Sequence, residues 1–177
     1  SFVLRQGSAG KQYLSIATTL PDGYHANDAS VGDLDGDGQY EIVVHVVGRG
    51  RDNSQGGETD PPIFHAYRMD GTLLWTVQLG HNCRDGAHYN PFLVYDFDGD
   101  GRSEFVCRTA DGTIDGAGKV LGDANADWRV RLTPTASPEA PSGPTKRNSR
   151  SPNRQRRLPG DVGKVLRGPE YLTVFDG

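Results

Sequence analysis

Two nine-residue stretches of the chain carry carboxylates at a spacing that suits a metal ion. The first has the sequence DLDGDGQYE, from Asp33 to Glu41, and the second has the sequence DFDGDGRSE, from Asp96 to Glu104. In both, acidic residues occupy positions 1, 3, 5 and 9, and a glycine at position 6 lets the backbone bend sharply. Calcium takes about six to eight oxygen ligands, and short acidic side chains on a bent loop can converge on one such ion.

The spacing predicts calcium loops that lie between two strands, not EF-hands. An EF-hand has its bidentate glutamate at about position 12 and a helix on either side, whereas here the glutamate comes earlier and an apolar run follows. The predicted ligands of the first loop are the side chains of Asp33, Asp35, Asp37 and Glu41 and the backbone carbonyl of Gln39. Those of the second loop are the side chains of Asp96, Asp98, Asp100 and Glu104 and the backbone carbonyl of Arg102. We expect these ions to be structural, because each would link two strands and neutralise a loop of like charges.

The elements around these loops follow a repeated order. The two loops begin 63 residues apart, at Asp33 and Asp96, and short β-branched or aromatic runs flank each of them. Four predicted strands belong to the first unit, and its last two are joined by a turn at Asp70-Gly71. The same order begins again around the second loop. Repeats of four strands are typical of propeller blades, so the sequence predicts an all-β fold, a partial β-propeller of about two blades with calcium loops between strands.

The composition agrees with a turn-rich, all-β chain. Hydrophobic residues make up 34% of the 177 residues, and there are 24 glycines and 11 prolines. No run of apolar residues approaches the length of a membrane span, and the first residues do not resemble a signal peptide. Cys83 and Cys107 could form a disulfide or stay free, and neither has the spacing of a zinc ligand.

Residues 129–161 differ from the rest of the chain. They contain six of the eleven prolines, with eight Lys or Arg against two Asp or Glu, a net charge of +6 in a chain of net charge −4. Such a segment cannot bury enough apolar surface to fold alone, and we expect a disordered basic insert, with polyanion binding as the weaker alternative. The predicted organisation is therefore a lead-in segment (1–25), propeller blades (26–128), the basic insert (129–161) and a truncated blade strand (162–177).

Several longer motifs resemble one known family. They are NDASVGDLDGDGQYEIVV (Asn27–Val44), DNSQ (Asp52–Gln55), GAHYNPFLVYDFDGDG (Gly86–Gly101), TADGTIDGAGKVLGD (Thr109–Asp123) and GPEYLTVFDG (Gly168–Gly177). All are similar to motifs of the rhamnogalacturonan lyases of polysaccharide lyase family 11. The resemblance implies that the chain is a fragment of a calcium-binding, eight-bladed β-propeller enzyme. It also implies a calcium-dependent activity that cleaves rhamnogalacturonan I, in pectin, by β-elimination at galacturonate.

That reaction requires a base, and a group that neutralises the galacturonate carboxylate. On the link between the two predicted units, the candidate catalytic residues are Arg84, His88 and Tyr89. Candidates for substrate binding are Asn53 and Gln55, on the excursion that follows the second strand. A structural role is the alternative for each of these side chains.

The expected partner is a pectic polysaccharide, with no nucleic acid and no membrane. A polymeric substrate implies that the enzyme is secreted, and we expect the full-length protein to be a monomer and the isolated fragment to be inactive. The alternative function is a non-catalytic calcium-binding propeller module for carbohydrate binding or adhesion.

Overall fold

The computed structural model describes residues 13–86, 88–131 and 160–177. These residues form the strands β1 (His25–Gly32), β2 (Glu41–Val47), β3 (Ile63–Tyr67), β4 (Leu73–Gln78), β5 (Phe92–Tyr95), β6 (Glu104–Ala110), β7 (Thr113–Ile114), β8 (Val120–Leu121) and β9 (Glu170–Phe175). Within the described ranges, no helix is long and apolar enough to cross a membrane. Most of the predicted basic insert, and the first half of the predicted lead-in segment, lie outside the described residues.

The strands pair into two antiparallel sheets. The first sheet has six strands in the order β1-β2-β3-β4-β7-β8, and the second has three strands in the order β5-β6-β9. The turn at Asp70-Gly71 joins β3 to β4 as the sequence predicts, with Ile63 opposite Gln78 at the open end of the hairpin. Each predicted calcium loop leads directly into a strand, because its last glutamate, Glu41 or Glu104, is the first residue of β2 or β6.

The all-β class is confirmed, but the predicted partial β-propeller of about two blades is wrong. The short β7–β8 hairpin pairs with β4 through Gln78 and Ile114, so the first sheet continues past the fourth strand, where a blade would end. The second sheet has three strands, and neither sheet closes into a propeller or a barrel within the described residues. The 63-residue repeat therefore marks a repeated strand–loop–strand unit and not a repeated blade.

An aromatic cluster between the two sheets forms the main core. Phe64 of β3 and Phe105 of β6 are fully buried, with their ring centroids 4.8 Å apart. Phe175 of β9 stacks on Phe105 at 5.6 Å, and Trp75 of β4 approaches it at 5.5 Å. Burying one such ring is worth about 1.5–3 kcal/mol, so this cluster contributes much of the stability that holds the sheets together.

Both cysteines lie in this core as free thiols. Cys83 and Cys107 are each 2% exposed, which answers the question of pairing that the sequence left open. Burial raises the pKa of Cys83 to about 11 and that of Cys107 to about 12. The thiols therefore stay protonated near neutral pH and act as small apolar side chains.

Candidate functional site

A bulge in β1 shapes one end of the first sheet. Ala26 pairs with Val46 and Ala29 pairs with Val44, so Asn27 and Asp28 together lie opposite a single residue of β2. That residue is His45. A β-bulge of this kind bends its strand and redirects side chains, and bulges are common beside active sites.

A buried polar cluster surrounds His45. The residues His45, Asp85 and Asn90 are 4%, 1% and 7% exposed, and the imidazole Nε2 lies 3.8 Å from Asp85 Oδ1. Asp85 Oδ1 accepts hydrogen bonds from Gly86 N and from Asn90 Nδ2. Among the described residues, three atoms of the cluster have no hydrogen-bond partner, namely His45 Nε2, Asp85 Oδ2 and Asn90 Oδ1. Most buried polar atoms in proteins have a hydrogen-bond partner, so three exceptions in one cluster mark it as a candidate site.

Burial shifts the titration of both ionisable groups in this cluster. Desolvation lowers the pKa of His45, against the opposing charge of Asp28. Desolvation also raises the pKa of Asp85, although the hydrogen bonds from Gly86 and Asn90 oppose this shift. The site thus holds a neutral imidazole beside a carboxyl group that ionises less readily than usual, and such groups are candidates for proton transfer.

A cavity of about 600 Å³ adjoins this cluster. It is lined by residues 27–30 of β1, by His45 and Gly86, and by residues 88–92. Ligand cavities in proteins commonly have volumes of about 300–1,000 Å³, so this one is large enough for part of an oligosaccharide. His88, at the rim, is exposed, and Tyr89 is half-buried.

The remaining predicted catalytic residue, Arg84, does not line this cavity. Arg84 is 4% exposed. Its Nη1 donates to the carbonyl oxygens of Gly57 and Gly163, at 2.7 and 3.1 Å, and its Nη2 donates to Gln55 O at 2.7 Å. These contacts give Arg84 a clear role in joining three segments of backbone.

The two predicted substrate-binding residues lie on an exposed turn outside the lining of the cavity. Asn53 and Gln55 are both exposed, and Gln55 N donates to Asp52 O to close the turn. Hydrogen bonds from Ser54 hold the pKa of Asp52 below its usual range, and the nearby charge of His88 adds to the effect. The turn therefore lies close to the rim of the cavity.

The first predicted calcium loop is closed by its own backbone. Asp33 Oδ1 accepts from Gly36 N and Oδ2 accepts from Gly38 N, both at 2.8 Å. These glycines have φ angles of 78° and 83°, which other residues adopt at a cost. Glu41 Oε2 accepts from Leu34 N at 2.9 Å. Carboxylate oxygens of Asp33, Asp35 and Asp37 all lie within 4.8 Å of one another.

The second loop repeats these hydrogen bonds, although a different set of its carboxylates converges. Asp96 Oδ1 and Oδ2 accept from Gly99 N and Gly101 N, at 2.6 and 3.0 Å, and Glu104 Oε2 accepts from Phe97 N at 2.7 Å. Carboxylate oxygens of Asp96, Asp98 and Glu104 lie within 4.8 Å of one another. In both loops the donors are hard oxygens drawn together on one short turn, a set that fits calcium and does not fit a soft metal.

The two loops are also in contact with each other and with the β3–β4 hairpin. Ser103 N donates to Asp33 O at 2.6 Å, which ties the second loop to the first. Arg68 forms an ion pair with Asp35 at 3.0 Å. Burial raises the pKa of Glu41, and the neighbouring carboxylates add to this effect against the hydrogen bond from Leu34. The loops thus concentrate negative charge that a bound cation would offset.

Comparison with known proteins identifies the family. Residues 15–134 match the family model described as rhamnogalacturonan lyase family 11, C-terminal domain. The chain therefore belongs to rhamnogalacturonan lyase family 11. This confirms the resemblance found in the sequence, although the matching domain is the C-terminal one.

Individual relatives agree with this assignment. The chain is 48% identical over 164 residues to the rhamnogalacturonan endolyase YesW of Bacillus subtilis and 44% identical over 162 residues to the exolyase YesX of the same organism. These alignments cover 90% and 89% of the chain but only 22% of each relative, so the chain spans about a fifth of their length. The solved structure of the family 11 rhamnogalacturonan lyase of Bacillus licheniformis is 46% identical in sequence and superposes with a TM-score of 0.75. The match covers 94% of this chain and 25% of the length of that lyase.

No motif in the sequence of this family 11 chain marks the buried cluster. His45 lies within the otherwise apolar run VVHVV of β2, and Asp85 stands next to Arg84, the predicted catalytic residue. The local signal was the presence of Asn27 and Asp28 within β1, since both residue types are depleted in strands. The bulge that brings these residues opposite His45 depends on strand register, which the sequence does not specify.

Proposed function

We propose that this chain is part of a calcium-dependent lyase that cleaves rhamnogalacturonan I by β-elimination at galacturonate. The observation that carries the proposal is its identity of 48% and 44% with a rhamnogalacturonan endolyase and a rhamnogalacturonan exolyase over nearly the whole chain. The cavity beside His45 and His88 supports it, because its size and polar lining suit part of a polysaccharide. A polymeric substrate outside the cell also implies a secreted enzyme.

The reaction makes two demands that this cavity can help to meet. A base removes the proton from C5 of galacturonate, the C4–O4 bond breaks, and the electron pair of the C–H bond becomes the C4–C5 double bond. The leaving oxygen then takes up a proton. His88 and Tyr89 lie at the cavity, where they can contact the sugar or transfer a proton. Arg84 acts through its contacts, by fixing the backbone of residues 55 and 57, after the exposed turn that carries Asn53.

We infer that calcium binds the two acidic loops. The ligands would be the four carboxylates of each loop and the carbonyls of Gln39 and Arg102, and the ion supplies charge neutralisation and a cross-link between strands. The paired hydrogen-bond pattern and the close approach of the carboxylates support this inference.

The experiment is an assay for unsaturated, ultraviolet-absorbing products from rhamnogalacturonan I, made with the protein that carries this chain. We expect His88→Ala to lower kcat by about 10²–10⁴-fold, the range for loss of a proton-transfer group, with an unchanged unfolding midpoint. His81→Ala is the control, because His81 lies beside Asp127 and lines neither cavity. Pectin binding without any unsaturated product would favour the non-catalytic alternative and overturn the proposal.

A further inference from the structure

Tyr89 also lines a second, smaller cavity, of about 80 Å³. Three basic residues line it, Arg84, Arg108 and Lys164, together with one acidic residue, Glu170. Arg108 Nη1 pairs with Glu170 Oε1 at 2.8 Å, so one positive charge is already matched. One water molecule needs about 10–15 Å³ on the same measure, so the cavity can hold a group of several non-hydrogen atoms in positively charged surroundings.

Arg84 brings a buried charge to this cavity. Its guanidinium has five N–H donors, of which three donate to the carbonyl oxygens of Gln55, Gly57 and Gly163. Its Nε is buried and has no hydrogen-bond partner among the described residues. No described carboxylate lies within ion-pair distance of Arg84, whereas buried charges in proteins are normally paired.

Arg108, which also lines the cavity, has an unpaired guanidinium atom as well. Its Nε is also buried and lacks a hydrogen-bond partner within the described ranges. Lys164 pairs through Nζ with Asp161 at 3.2 Å, but Asp161 is largely exposed and does not line the cavity. Both arginines line this small space, and each keeps N–H donors that no described residue accepts. Charge-assisted N–H donors bind carboxylate and phosphate oxygens strongly.

We propose that this cavity is a binding site for a small oxyanion, either a free anion such as phosphate or the carboxylate of a uronic acid. The anion accepts hydrogen bonds from the spare donors of Arg84 and Arg108 and balances the unmatched charge of Arg84. Because Arg84 also fixes residues 55–57 and 163, the bound anion stabilises the contact between these segments. The uronate source rests on the proposed function, since Tyr89 lines both cavities and a polysaccharide in the larger one could extend its carboxylate to the smaller.

Calorimetric titration of the protein at fixed free calcium tests this site without reference to lyase activity. The probes are inorganic phosphate, acetate, galacturonate and the methyl ester of galacturonate. We expect the three anions to bind, the ester not to bind, and Arg108→Gln to weaken binding by about ten- to a hundred-fold, the effect of losing one charge-assisted hydrogen bond. Arg49→Gln is the matched control, because Arg49 is an exposed arginine paired with Asp60 away from the cavity.

The outcomes separate the two sources and the two proposals. Galacturonate bound more tightly than acetate assigns the site to a uronate, and equal or weaker binding assigns it to a free anion. Absence of binding by every anion overturns the inference, as does an Arg49→Gln effect equal to that of Arg108→Gln. If Arg108→Gln unfolds the protein, Lys164→Gln serves in its place, with a smaller weakening expected. Anion binding in a protein without lyase activity would keep this site and refute only the proposed function.

Discussion

Calcium removal should lower the stability of this protein by a large and predictable amount. Each acidic loop holds four carboxylates, and oxygens of three of them already lie within 4.8 Å of one another. A ligand at about 100 times its Kd stabilises the folded state by about 2.7 kcal/mol, so two such sites contribute about 5 kcal/mol. For a chain of this size each kcal/mol shifts Tm by about 2–4 °C. We therefore expect excess chelator to lower Tm by about 10–20 °C.

A single substitution separates metal binding from ordinary loss of contacts. Asp98→Asn removes one exposed negative charge but keeps the Oδ1 that accepts from Asp100 N at 3.0 Å. In chelator the variant should be as stable as the parent or slightly more stable, because repulsion within the loop decreases. In calcium it should be less stable, because the site loses a charged ligand. Asp22→Asn, at an exposed turn outside both loops, is the control.

The assay is thermal unfolding followed by circular dichroism, in calcium, in magnesium and in chelator. Magnesium should give a smaller gain than calcium, since it requires a more regular shell of ligands and gives up its water reluctantly. Coincident melting curves in calcium and chelator would refute the reasoning. An equal loss of stability from Asp98→Asn in calcium and in chelator would also refute it, because the effect of the carboxylate would then not depend on a bound metal.

Three further predictions concern the core and its buried groups. Phe105→Ala should lower the free energy of unfolding in urea by about 3–5 kcal/mol. Leu172→Ala, at a side chain 80% exposed, should change it by less than about 0.5 kcal/mol. Similar losses for the two variants would contradict the assigned core. Burial lowers the pKa of His45 and His65 below the usual 6.5, so the unfolded state binds protons before the folded state does. The free energy of unfolding should therefore fall as the pH drops below about 6.5 and stay level above that pH. His45→Gln should flatten this pH profile, and a parent protein whose stability does not fall would refute the prediction. Since their pKa values are raised to about 11 and 12, the two cysteine thiols should resist a thiol reagent near neutral pH until denaturant is added; rapid labelling of the folded chain would contradict this.

Local features of the fold were predictable because their causes are local. The turn at Asp70-Gly71 and the two loops with glycine at position 6 carry their conformation in the residues themselves, and the structure has a strand directly after each loop. The β7–β8 hairpin was missed because its strands have only two residues each and its sequence, DGTIDGAGKVL, is typical of a loop. Its pairing with β4 then extended the first sheet and made the propeller prediction wrong.

The difference between local and long-range causes also explains which parts of the site could be predicted. His88 and Tyr89 stand in a motif that resembles the family, and the structure places both at the larger cavity. His45 lies opposite the bulge of β1, whose residues line that cavity, and Asp85, from the segment after β4, lies beside His45 without lining the cavity itself. Strand register and contacts between residues far apart in sequence are set by packing, and a single sequence does not encode them as a motif.

Arg84 shows why a residue type alone does not settle a role. An arginine next to a histidine and a tyrosine suggested a group that binds a carboxylate, and its buried, unmatched charge still suits one. Its Nη atoms, however, hold three backbone carbonyls, so an anion bound beside Arg84 would also order the segments that carry them. If a uronate is that anion, substrate binding and local folding are coupled, and affinity for galacturonate should rise with any change that stabilises these segments.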